Sequence, residues 1–110
     1  MVKIYTGIAL AGWPGTVLVE DKPGQGRALT HHVYHSPDGF SWGYGGSGPS
    51  ELAKDILWDL LGKQPSPTLY HAFKDEFIAT IPQKEGWMLT ENQIRAWLAT
   101  RVPEEEVVTE

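Results

Sequence analysis

The hydrophobic period of this chain changes at one place, the glycine-rich run GFSWGYGGSGPSEL at residues 39–52, and that switch constrains the fold more than any other feature. Upstream, from Lys3 to Leu10, Thr16 to Glu20 and Ala28 to His35, short stretches rich in β-branched and aromatic residues are separated by AGWPG and DKPGQG. This is the pattern of strands in a meander. SPDG, Ser36 to Gly39, places proline second and glycine fourth, which predicts a hairpin turn into a further strand, FSWGY. Closing that hairpin with His35 opposite Phe40 sets Val33 beside Trp42 and His31 beside Tyr44, with Phe40 and Trp42 on the core face.

Downstream the period is helical. Leu52, Ala53, Ile56, Leu57, Leu60 and Leu61 recur at intervals of three and four, with Glu51, Lys54, Asp55 and Asp59 read as the solvated side and Gly62 as the C-cap. Ser66 followed by Pro67 opens a second helix that aligns Leu69, Phe73, Phe77 and Ile81 and stops at Pro82. Thr90 and Gln93 have the spacing of a capping box, with Leu89 and Ile94 as its hydrophobic staple, and Ile94, Trp97 and Leu98 are expected to face inward. The prediction is a single α+β domain over residues 1–110: an antiparallel sheet of about four strands in the first half followed by three helices packed on one face. The acidic tail PEEEVVTE, from about residue 103, is expected to fray.

A length of 110 residues suits one core, and a composition 41% hydrophobic and 21% charged is that of a folded chain rather than a disordered one. Zero cysteines exclude disulfides, thiolate zinc sites and cysteine nucleophiles. The formal charge of −5, with only nine scattered lysines and arginines, disfavours nucleic acid as a partner. No apolar run approaches the roughly 20 residues of a membrane span, so the expected address is the cytoplasm.

Gly43, Gly45 and Gly48 satisfy G-x-G-x-x-G between a predicted strand and a predicted helix. A dinucleotide fingerprint also needs a following strand with an acidic residue about 20 positions on, and here another helix follows. A P-loop reading puts Pro49 where the phosphate-binding lysine belongs. What survives is a run of backbone donors, Gly45, Gly46, Ser47 and Ser50, at the positive end of a helix, with His31 and Tyr44 beside it as further ligand contacts. The competing reading is architectural: the glycines let the chain leave a strand sharply and let the helix lie close.

HHVYH does not make a metal site. On a strand His31 and His35 are about 13 Å apart at roughly 3.3 Å per residue, and His32 faces the other way. No metal or cofactor is expected. Ser47 lacks a nucleophile elbow, since GGSG falls short of G-x-S-x-G, and a catalytic histidine would have to be His31 or His35 against a hydroxyl or carboxylate in a cleft. The pattern therefore points away from an enzyme. Among the five tryptophans, Trp58 lies off the apolar stripe of its helix and is the candidate protein-interface anchor.

The string HSPDGFSWGYGGSGPSELA resembles an uncharacterised family of small bacterial, archaeal and phage proteins, a domain of unknown function with the motif H-S-P-x-G-F-x-W-G-Y-G-G-S-G-P. The matching residues are Ser36, Pro37, Gly39, Phe40, Trp42, Gly43, Tyr44, Gly45, Gly46, Ser47, Gly48, Pro49, Leu52 and Ala53. Weaker similarity continues through LYHAFKDEF and GWMLTENQIRAWL. The resemblance carries no catalytic role for any residue; occurrence in phages implies an accessory function acting on a host defence protein. The leading expectation is accordingly a non-enzymatic binding protein that modulates a host protein, presenting an exposed apolar patch near Trp58 or on the outer sheet. The alternative is a phosphate- or nucleotide-binding module built on the glycine loop.

Overall fold

The computed structural model describes residues 3–9, 15–22, 24–30 and 40–101. His31, His32, Val33, His35, the Ser36 to Gly39 turn and the tail from residue 103 lie outside the described residues. Strands β1 (Ile4–Ile8), β2 (Thr16–Lys22), β3 (Gln25–Ala28) and β4 (Trp87–Thr90) form one antiparallel sheet in the order β3-β2-β1-β4. The helices are α1 (Ser47–Leu61), α2 (Pro67–Phe73), which runs on as a π-helical turn over Lys74–Ile78, and α3 (Glu91–Leu98). The fold class is the expected one, a four-stranded antiparallel sheet with three helices.

Register explains which sheet face is buried. Tyr5 stands opposite Val19 on one side and Leu89 on the other, and Gly7 opposite Val17 and Trp87. Tyr5, Val17, Val19 and Leu89 enter the core, where they meet Leu52, Ile56 and Leu57 of α1 and Leu69 and Phe73 of α2. The alternate positions, Ile4, Thr6, Ile8, Leu18 and Met88, lie on the opposite face. Gly7 leaves room for the Trp87 indole, which lies where a Cβ would stand.

One strand is not where the sequence placed it. Phe40 pairs with Gly15 in an isolated bridge, but FSWGY forms no strand; the fourth strand is GWMLT's Trp87–Thr90, between α2 and α3. The reason is local. Gly43 has a φ of 88°, and Gly45 and Gly46 offer no side chains to hold a ladder, so the chain turns away after Trp42. Trp42 is fully buried, edge-on to Trp87 at 5.7 Å, with its indole N–H given to the Glu85 carbonyl at 3.1 Å. β3 likewise begins inside the predicted DKPGQG connection, after a bulge between Glu20 and Lys22.

The helix signals translate closely. Gly62 caps α1 with a φ of 76°, Ser66 accepts from the Leu69 amide at 3.2 Å, and Thr90 and Gln93 close their capping box at 3.2 and 2.8 Å. The apolar row of α2 slips, however. The π-helical turn inserts one residue, so the fully buried positions run Leu69, Phe73, Ile78, and Phe77 moves to the margin against Trp97.

The solvated face predicted for α1 is also corrected. Glu51 and Asp55 are buried, and Asp59 clamps α1 to the sheet. Its carboxylate accepts from the Tyr5 hydroxyl at 2.7 Å, Arg27 Nη2 at 2.7 Å and Lys3 Nζ at 3.2 Å, while Arg27 Nε also reaches Asp21 at 2.7 Å. Burial alone would raise the Asp59 carboxyl, but hydrogen bonds from Arg27, Tyr5 and Lys3 outweigh it and hold it below the usual carboxylate range. Burial and the same bond push the Tyr5 hydroxyl far above its ordinary value.

Candidate functional site

The segment between Trp42 and α1 is built by close approach. The Tyr44 ring lies against Gly46, and its hydroxyl, 3.0 Å from Ser41 Oγ, lies against Gly48; a Cβ at either glycine would collide with these groups. Gly46 is the N-cap of α1 and supplies no side chain to cap it. The amides of Gly45, Gly46, Ser47 and Gly48 find no acceptor among the described residues. Such donors at the start of a helix favour an anion. The glycines thus have the architectural role as well, except Gly45, whose Cβ would stand in open space with no positive φ to forbid it.

A cavity of about 570 Å³ opens beside this segment. One wall is Gly45, Gly46, Ser47 and Ser50 followed by Glu51 and Lys54 of α1; the facing wall is Tyr70 and His71 of α2 and Lys74 of the π-helical turn. Helical spacing explains the walls: Ser50 and Lys54 are four apart on α1, as Tyr70 and Lys74 are on the facing helix. The Lys54 ammonium lies 5.7 Å from the Tyr70 ring centroid and 5.9 Å from that of Trp58. Lys74 is largely covered, its side chain 14% exposed, and its only ion pair among the described residues is with Asp75 at 3.2 Å, a side chain 72% exposed. No acidic residue occupies the first turn of α1.

A histidine does meet a hydroxyl here, His71 Nδ1 at 3.5 Å from Ser50 Oγ. The Ser50 proton is committed elsewhere, to the Gly46 carbonyl at 3.1 Å. With that proton on the carbonyl, the long contact to His71 is made only by the imidazole tautomer protonated at Nδ1.

Of the residues singled out in the sequence, Gly45, Gly46, Ser47 and Ser50 come together on the cavity wall. Tyr44, 40% exposed, packs behind the loop rather than lining the cavity, and His31 lies outside the described residues. Trp58 is half-buried under the Lys54 ammonium. Sequence reasoning missed Glu51, Lys54, Tyr70, His71 and Lys74, because only the packing of α1 against α2 brings them together. The i, i+4 polar pairs Ser50/Lys54 and Tyr70/Lys74 were the available signal.

Among the described residues no helix is long and apolar enough to cross a membrane. Neither the curated proteins nor the solved structures contain a match to the chain. A family model does match, over residues 9–100, and the chain belongs to that family, DUF6166, a family of unknown function.

Proposed function

We propose that this member of DUF6166 is a binding module that holds a phosphate-bearing small molecule in the cavity between the start of α1 and α2. The observation that carries the reading is convergence: the loop with unclaimed amides and the side chains of Lys54, His71 and Lys74 line one cavity of about 570 Å³. That volume lies within the roughly 300–1,000 Å³ of small-molecule sites. Amide donors, a helix N-terminus and lysines within one cleft are the groups that bind phosphate without chemistry on it. Calorimetric titration with inorganic phosphate and a panel of nucleotides tests this. Saturable binding that weakens about tenfold in Lys54→Gln and Lys74→Gln is the expected result, a change of about 1.4 kcal/mol each. No binding at millimolar concentrations of any of these anions contradicts it.

A second reading has its own support. Opposite the helices, Leu18, Thr6 and Met88 stand side by side in register, flanked by Ile4 and Ile8, and Met88 is 62% exposed. That face suits a protein partner, in the accessory role of a phage or mobile-element protein that modulates a host defence protein. A partner retained from host lysate by the wild type and lost by Met88→Glu supports this reading. Equal recovery by both removes it.

A further inference from the structure

If the cavity holds a phosphate group, as proposed above, most of its room belongs to whatever carries that group. Inorganic phosphate takes up roughly the space of two or three waters, at about 30 Å³ each, and the cavity measures about 570 Å³. Its two walls also differ in kind. The loop wall offers the backbone amides of Gly45, Gly46 and Ser47, whereas the facing wall sets two aromatic rings, Tyr70 and His71, side by side.

The ring centroids of Tyr70 and His71 are 4.7 Å apart, with the planes 39° from each other. Tyr70 is half-buried against the core cluster, and the Lys54 ammonium lies over its ring at 5.7 Å from the centroid. The ring is thus held in place by its neighbours, and a ring already ordered loses little freedom when a ligand arrives. His71, next to it, is exposed. Rings on a cavity wall take a planar group by stacking, which serves any nucleobase because each has a π-face. Neither ring has to change its charge to do so.

We propose that the ligand is a nucleoside 5′-phosphate, its phosphate on the loop amides and its base stacked on the Tyr70 and His71 rings. The full chain is titrated with adenosine 5′-monophosphate, ribose 5-phosphate and inorganic phosphate at about pH 8, where the phosphate group of each carries its full charge. The wild type is expected to bind the nucleotide roughly tenfold more tightly than ribose 5-phosphate, the effect of stacking one base. The double variant Tyr70→Leu/His71→Leu is expected to bind the two equally, with its affinity for ribose 5-phosphate unchanged, which also reports that the variant is folded. Tyr70→Phe keeps the ring and should keep the preference. His71→Leu alone, at an exposed position where folding is not at stake, should lose a few-fold of it. Equal binding of nucleotide and sugar phosphate by the wild type, a preference that survives in the double variant, or one undiminished in His71→Leu overturns the nucleotide assignment and leaves the phosphate site standing. Absence of binding by all three compounds at millimolar concentration overturns both.

Discussion

Helix α1 carries two charged clusters less than two turns apart, and they are built on opposite plans. Around Asp59 the charges answer one another: Lys3, Arg27 and the Tyr5 hydroxyl converge on one carboxylate, and Asp21 takes the rest of Arg27. Around Lys54 the described side chains are mostly basic: Lys54, Lys74 and His71 line a cavity whose only carboxylate among the described residues is Glu51. A closed network joins a helix to a sheet and has nothing left to offer a ligand. A surplus of one sign over an open cavity contributes little to folding and is available for binding.

The comparison breaks first at Asp59. Asp59→Ala leaves the buried Tyr5 hydroxyl without its acceptor and takes one of two carboxylates from Arg27 and Lys3, which keep Asp21, and should cost about 3 kcal/mol in urea unfolding, with phosphate affinity unchanged. Loss of less than about 1 kcal/mol would reduce the cluster to surface decoration. Acid should reach the same cluster without mutation. The Asp59, Asp21 and Glu91 carboxyls are all held low in the folded state, Asp21 by its bond from Arg27 and Glu91 by the Lys3 amide and then Arg95. A depressed carboxyl contributes its full stabilisation above the unfolded-state value of about 4 and loses it as pH falls through the folded value. Stability measured by urea unfolding should therefore be level between about pH 5 and pH 8 and decline below about pH 4.

Smaller effects sharpen the contrast inside the glycine loop. Gly43→Ala forces a φ of 88° on a residue with a Cβ and presses that Cβ on the Ile81 carbonyl, which should cost about 2 kcal/mol. Lys74→Gln should weaken phosphate about tenfold with stability changed by less than about 1 kcal/mol, measured on the same sample by titration and by urea unfolding. Gly45→Ala, whose new methyl meets nothing, should change stability by less than about 0.5 kcal/mol, so any loss of affinity it causes reports on the cavity alone.

What the sequence displays, and what it hides, follows the range of the interactions involved. Ser66, Thr90, Gln93 and Gly62 act on backbone within a few residues, and each was readable as a cap. β4 was not: four residues ending directly at a helix N-cap are too short for a period-2 pattern, and only pairing with β1, more than 80 residues distant, makes them a strand. Asp59 read as part of a solvated face because helical periodicity does not report a sheet packed across it. The site divides the same way. Gly45 to Ser50 is contiguous and was found as a loop at a helix start, whereas Lys54, His71 and Lys74 join it only through the packing of two helices, aided by a π-helical turn that periodicity could not anticipate.

The most direct test of the contrast between the clusters is an amide-resolved NMR titration of the full chain with phosphate. Saturable shifts at Gly45, Gly46, Ser47 and Ser50, extending to His71 and Lys74 and sparing Lys3, Arg27 and Asp59, are the predicted result. Shifts centred on the Asp59 cluster, or none at millimolar phosphate, would contradict it.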